Sequence, residues 1–152
     1  MTMTGGAPTG LLDAFWAYEK ALMANDIDTL DRLFADTPTT LRGDAAGLLV
    51  GHDQIAAFRG TRGGAPARRI LETRIQTVDD AHALIVAVTE LEAGGRGLQT
   101  QLWIRDAVAG WQVSAAHVSV PAPAIDVRIW APSGRRSWPG PAPGLLPGSR
   151  WR

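Results

Sequence analysis

The sequence predicts an α+β fold in which N-terminal helices cover one face of a curved antiparallel sheet. Three observations carry that prediction. Apolar residues recur at helical spacing near the start, the period changes to two beyond Arg68, and the alternating segments are separated by Asp-Asp, Gly-Gly and Ala-Gly pairs. In the first segment Leu11, Phe15, Tyr18 and Leu22 form one helical stripe, which turns Tyr18 inward one turn beyond Phe15. Asn25-Asp26 breaks this helix, and Asp28 is placed to cap a short second one whose buried side is Leu30, Leu33 and Phe34, ending at Thr37-Pro38. Thr39 to Arg42 and Gly47 to Val50 read as two extended pieces about the Gly43-Asp44 turn. His52 or Asp53 then caps a helix to about Gly60, with Ile55 and Phe58 inward, stopped by Gly63-Gly64 and Pro66. Ile70 to Val78, Ala83 to Glu92, Gly97 to Asp106 and Trp111 to Val120 complete an antiparallel meander.

One domain is expected over residues 11–130, after a disordered start at 1–10. Residues 131–152 hold five Pro, four Gly and four Arg, a composition that cannot offset its ordering entropy, so a disordered tail is expected. Zero cysteines exclude disulfides and thiolate chemistry, and three well-spaced histidines give no metal motif. Between Leu11 and Trp130 the chain has 11 basic and 15 acidic residues, which disfavours a nucleic-acid partner. No apolar run spans a bilayer and no secretory signal opens the chain, so the expected location is the cytoplasm. Serine-elbow, zinc-helix and P-loop sequences are absent, and Gly94-Gly95-Arg96-Gly97 joins two strands rather than opening a helix.

Helices folded over a curved sheet leave a cone-shaped cavity, and an arginine inside it asks for an anion. Arg42, at the end of an extended piece, can hold a carboxylate through two parallel bonds, or serve as a partner for Asp44 or Glu19. Tyr18, the single tyrosine, reads either as a core aromatic or as a proton donor and acceptor, its phenolate favoured if a guanidinium is near. In Gly97 to Asp106 one face carries Leu98, Thr100, Leu102 and Ile104, the other Gln99, Gln101, Trp103 and Arg105. Neither is a solvent face, which points to a homodimer through the sheet; the two glutamines line the cavity or bond across that interface. His117, alternating with Val113, Ala115 and Ser119, reads as a core histidine behind the ligand. Arg59, Arg62 and Arg68 flank the Gly63-Gly64 turn as an anion rim or a solvated cluster.

The run from Leu11 to Trp130 resembles the AtzH-like proteins, which include the oxalurate-catabolism protein HpxZ, in the SnoaL-like, NTF2-like superfamily. The likeness rests on Phe15-Trp16-Ala17-Tyr18-Glu19, Leu41-Arg42-Gly43-Asp44, Leu49-Val50-Gly51-His52, Arg62-Gly63-Gly64, Gln99-Thr100-Gln101-Leu102-Trp103 and Ala115-Ala116-His117-Val118-Ser119-Val120-Pro121. It implies an NTF2-like (cystatin-like) cone, a homodimer of back-to-back sheets, and no metal or organic cofactor. It also implies a decarboxylating amidohydrolysis of a urea-derived carboxylate, 1,3-dicarboxyurea to allophanate, with Tyr18 and Arg42 matching the residues implicated. A weaker likeness to the association domain of the calcium/calmodulin-dependent kinase, which has arginine where this chain has Gln101, puts Gln101 toward the cavity.

Two functions follow. One is a small metal-independent hydrolase or decarboxylase taking a carboxylated urea-type ligand, with catalytic Tyr18 and Arg42 and with Gln99, Gln101, Arg62 and His117 around the ligand. The other is a non-catalytic partner of an amidase in ureide or purine catabolism. A third, an isomerase with a pocket aspartate, has only Asp44 to offer.

Overall fold

The computed structural model describes residues 6–120; the expected disordered tail over residues 131–152 lies outside the described residues. Three helices and six strands follow in the order α1 (Leu11–Ala24), α2 (Ile27–Leu33), β1 (Leu41–Asp44), β2 (Gly47–Val50), α3 (His52–Arg62), β3 (Arg68–Asp79), β4 (His82–Leu91), β5 (Arg96–Asp106) and β6 (Gly110–Ser119). The strands form one sheet in the order β2-β1-β6-β5-β4-β3. All pairs are antiparallel except β1 with β6, where Leu41, Arg42 and Gly43 run parallel beside Ala115, Ala116 and His117. This is the α+β arrangement of helices over an antiparallel meander that the period change predicts.

Burial follows the stripes. Leu11, Phe15, Tyr18 and Leu22 face the sheet from α1, and Leu30, Phe34 and Ile55 close the core with Ile85, Trp103 and Val113. Each such large apolar side chain contributes about 1.5–3 kcal/mol on leaving water. The Trp111 ring lies against Gly10, and its Nε1 donates to the Thr9 carbonyl at 2.9 Å, tying the start of α1 to β6.

The caps differ from the sequence reading in two places. Asp26 caps α2, its carboxylate accepting from the Thr29 amide at 3.2 Å and the Thr29 hydroxyl at 2.7 Å; Asp28 lies in the first turn. The helix starts two residues early because Asn25 takes a left-handed conformation (φ 51°) and ends α1 abruptly. At α3 the cap position is Gly51 (φ 89°), and Gln54 reaches back to accept from the Val50 amide at 3.0 Å.

The inner sheet face carries Ala83, Ile85, Ala87 and Thr89 on β4 and Gln99, Gln101 and Trp103 on β5; Leu98, Thr100, Leu102 and Ile104 face outward. On β6 the alternation breaks. Leu102 pairs with Ala115 but Trp103 pairs with Val113, so Ser114 is an extra residue, a bulge. Beyond it the inward residues are Ala116 and Val118 rather than Ala115 and His117. The core reading of His117 is therefore corrected: it is exposed on the outer face, beside Gly43, where a Cβ would come within 3.3 Å of its Nδ1.

Candidate active site

A cavity of about 390 Å³ opens between α1, α3 and the inner sheet face. Tyr18, Arg42, Arg59, Arg62, Arg68 and Gln99 carry its polar chemistry, and Leu22, Phe58, Leu91 and Val118 are among its apolar walls. The sequence explains the convergence. Tyr18 is on the buried stripe of α1, Arg42 is on the inward side of β1, Arg59 and Arg62 end α3, and Arg68 opens β3.

Each guanidinium is held differently. Arg42 Nη1 donates to Asp44 Oδ2 at 2.8 Å, and its guanidinium carbon lies 4.6 Å from the centre of the Phe58 ring. Arg59 donates to Asp31 Oδ1 at 3.2 Å and lies over Phe34 at 4.1 Å. Arg68 Nη2 donates to Glu19 at 2.8 Å and to Gln99 at 2.7 Å. Arg62 has no carboxylate partner among the described residues and lies 5.3 Å from the Phe58 ring centre. Burial, followed by the neighbouring Arg42, lowers its pKa. Four cations against three carboxylates leave one positive charge in excess, and the partly desolvated cleft strengthens its attraction for an entering anion.

Tyr18 is packed edge-on to Trp103 (6.3 Å between centroids) and tilted on Phe34 (6.0 Å). Its hydroxyl has no hydrogen-bond partner among the described residues. Burial raises its pKa above the usual 10.0, Glu19 adds to the rise, and Arg59, Arg68 and Arg42 oppose it without prevailing. The nearby arginines favour the phenolate, as expected, but desolvation outweighs all three, so the resting group is the neutral phenol. Asp44 is the only acidic residue lining the cavity among the described residues, and it is not poised as a base. Hydrogen bonds from Arg42 and from the Ala46 amide (2.8 Å) hold its carboxyl below the ordinary range.

The AtzH-like family model matches residues 9–123. The chain belongs to the AtzH-like family. It is 34% identical to a cystatin-like fold protein from Burkholderia xenovorans LB400 (TM-score 0.70; 74% of this chain and 90% of that one). It is 35% identical to a protein of unknown function from Pectobacterium atrosepticum (TM-score 0.69; 74% and 88%). An NTF2-like superfamily protein from Salmonella enterica shares the fold at 20% identity (TM-score 0.61; 81% and 93%). No curated protein matches.

Of the residues singled out in this AtzH-like chain, Tyr18, Arg42, Arg59, Arg62, Arg68 and Gln99 line this cavity. Gln101 shares their sheet face but is sealed beneath it; its Oε1 accepts from Trp103 Nε1 at 3.1 Å, and its Nε2 has no partner among the described residues. His117 lies apart, on the outer face. Sequence reasoning missed Glu19 as a buried member of the site. The signal was its place four residues after Phe15, on the edge of the apolar stripe, where a carboxylate needs a buried cation. Outside the cavity, Asp36, His52 and Asp53 bring possible metal-ligand atoms within 4.8 Å of one another, but both carboxylates are exposed. His52 Nε2 is bonded to the Asp31 carbonyl at 2.8 Å.

Proposed function

We propose that the protein is a small decarboxylating amidohydrolase acting on a carboxylated urea, such as 1,3-dicarboxyurea. The supporting observation is a neutral phenol without a protein partner, set among four arginines of which one has no counter-ion. Arg62, with the Asp44-held Arg42 behind it, takes a ligand carboxylate. Tyr18 donates its proton to the carbamate nitrogen as the bond from that nitrogen to the leaving carboxyl carbon breaks and CO2 departs. The tyrosinate so formed is stabilised by Arg59, Arg68 and Arg42 and recovers a proton from water. A carbamate already tends to lose CO2, so proton delivery and orientation suffice, and the protein need not supply a strong nucleophile.

A second copy is proposed on the outer sheet face. Leu98, Leu41, Leu48 and Val50 are exposed there, with Leu102 and Ile104 half-buried beside them, more apolar surface than one solvent-facing sheet needs. No helix among the described residues is long and apolar enough to cross a membrane.

The test is CO2 release from enzymatically generated 1,3-dicarboxyurea by the wild type and Tyr18→Phe. Loss of release above the spontaneous rate in the folded variant is the expected result. Equal release by both overturns the role of the phenol, and no release by the wild type favours a binding role beside an amidase.

A further inference from the structure

Glu19, Arg68 and Gln99 come from α1, β3 and β5 and meet in a closed triangle at the cavity wall. Arg68 Nη2 donates to Glu19 Oε1 (2.8 Å) and Gln99 Oε1 (2.7 Å), and Gln99 Nε2 donates to the same Glu19 oxygen (3.0 Å). Both charged side chains are 7% exposed and Gln99 is 1% exposed. The triangle fixes which way the Gln99 amide faces. Turned over, its NH2 would oppose the Arg68 N–H groups and its oxygen the Glu19 carboxylate, two repulsive contacts replacing two charge-assisted bonds. An amide carries two N–H donors, and Glu19 takes one. Arg68 Nε, sealed from solvent, also has no acceptor among the described residues. Arg68 and Gln99 both line the cavity.

We infer that Glu19 and Arg68 are positioning residues that make Gln99 a specificity-determining donor, so that this corner of the cavity takes a hydrogen-bond acceptor of the ligand, most strongly a carboxylate oxygen. The inference rests on the reading of the cavity as an anion site. It assigns the two ends of the ligand: one carboxylate on Arg62 and the acceptor oxygen of the other end on Gln99. A ligand that presents N–H or nothing at that end forfeits the bond and leaves buried donors unpaired.

Titration calorimetry with malonate and propionate tests this. Propionate offers one carboxylate for Arg62, and malonate adds a second carboxylate as the acceptor for Gln99. Gln99→Met should lower malonate affinity about tenfold and leave propionate unchanged. Glu19→Ala should do the same, although removing a negative charge near a cation-rich site should by charge alone tighten anion binding. Glu19→Gln keeps an acceptor oxygen for Arg68 and Gln99 and should restore the preference for malonate. Circular dichroism confirms that each variant is folded, and Gln99→Met, which leaves the Glu19–Arg68 bridge intact, serves if Glu19→Ala is not. A preference for malonate unchanged in Gln99→Met overturns the inference alone. Absence of malonate binding by the wild type, or binding indifferent to Arg62→Ala, overturns the anion-site reading and the inference with it.

Discussion

Replacing Tyr18 with phenylalanine should leave the protein at least as stable as it is while removing its chemistry. The ring makes its contacts through carbon, edge-on to Trp103 and tilted on Phe34, and a phenylalanine ring keeps both. What leaves is a hydroxyl without a protein partner on a side chain only 4% exposed. Burying a hydroxyl without a full hydrogen-bond complement costs roughly 1–3 kcal/mol in proteins. The Tyr18 hydroxyl is not among the sealed unpartnered atoms and faces the cavity, where water reaches it, so the expected gain is at most about 1 kcal/mol. For a domain of this size that ceiling corresponds to a rise in Tm of about 3–6 °C. Urea melts of both proteins, fitted with a common slope, measure it. A loss of stability beyond about 0.5 kcal/mol would show that the hydroxyl is bonded in the folded protein and would refute the unpartnered phenol on which the proposed proton transfer depends. A gain in stability together with lost turnover is the pattern of a group kept for function.

Three further outcomes are expected. Gly97→Ala, whose Cβ would lie 2.8 Å from Thr89 Oγ1 and 3.1 Å from the Ser119 carbonyl, should destabilise by roughly 1–3 kcal/mol in urea melts, because the carbonyl belongs to the paired strand and cannot swing aside. Asp44 has a depressed native pKa, so its contribution is present above the unfolded value of 3.8 and lost as pH falls through the lower native one; Asp44→Asn should flatten the acid limb of the stability curve below about pH 4, seen by pH-dependent thermal melts. Leu98→Asp on the outer face should turn the proposed dimer into monomer by light scattering and leave malonate binding at the cavity unchanged, and an unaltered mass would remove the sheet-to-sheet pairing.

Elements with a strong period were legible in the sequence. The stripe Leu11, Phe15, Tyr18, Leu22 and the four strands after Arg68 declare themselves through side-chain spacing, which burial then enforces. Insertions into that spacing were not. Ser114 looks like any alternating residue, yet as a bulge it reverses the phase of β6 and turns His117 outward. Local pairs were legible, since Arg42 takes Asp44, a partner the sequence offered, but pairings across the chain were hidden: Glu19 finds Arg68 49 positions away. The site residues Tyr18 and Arg42 were named through likeness to a family; the neutral state of the phenol comes from burial, which no local pattern expresses.

The parallel pairing of β1 with β6 bears on how the protein is made. The stretch carrying Arg42 leaves the ribosome early, but the strand it docks against ends at Ser119, so Leu41 must wait for Ala115 before its wall can form. Closing so long a loop is slow compared with hairpin zipping along β3 to β6. Vectorial synthesis therefore assembles the meander first and the arginine-bearing edge last, and a chain stalled before β6 would have its phenol but no wall to hold Arg42 beside it.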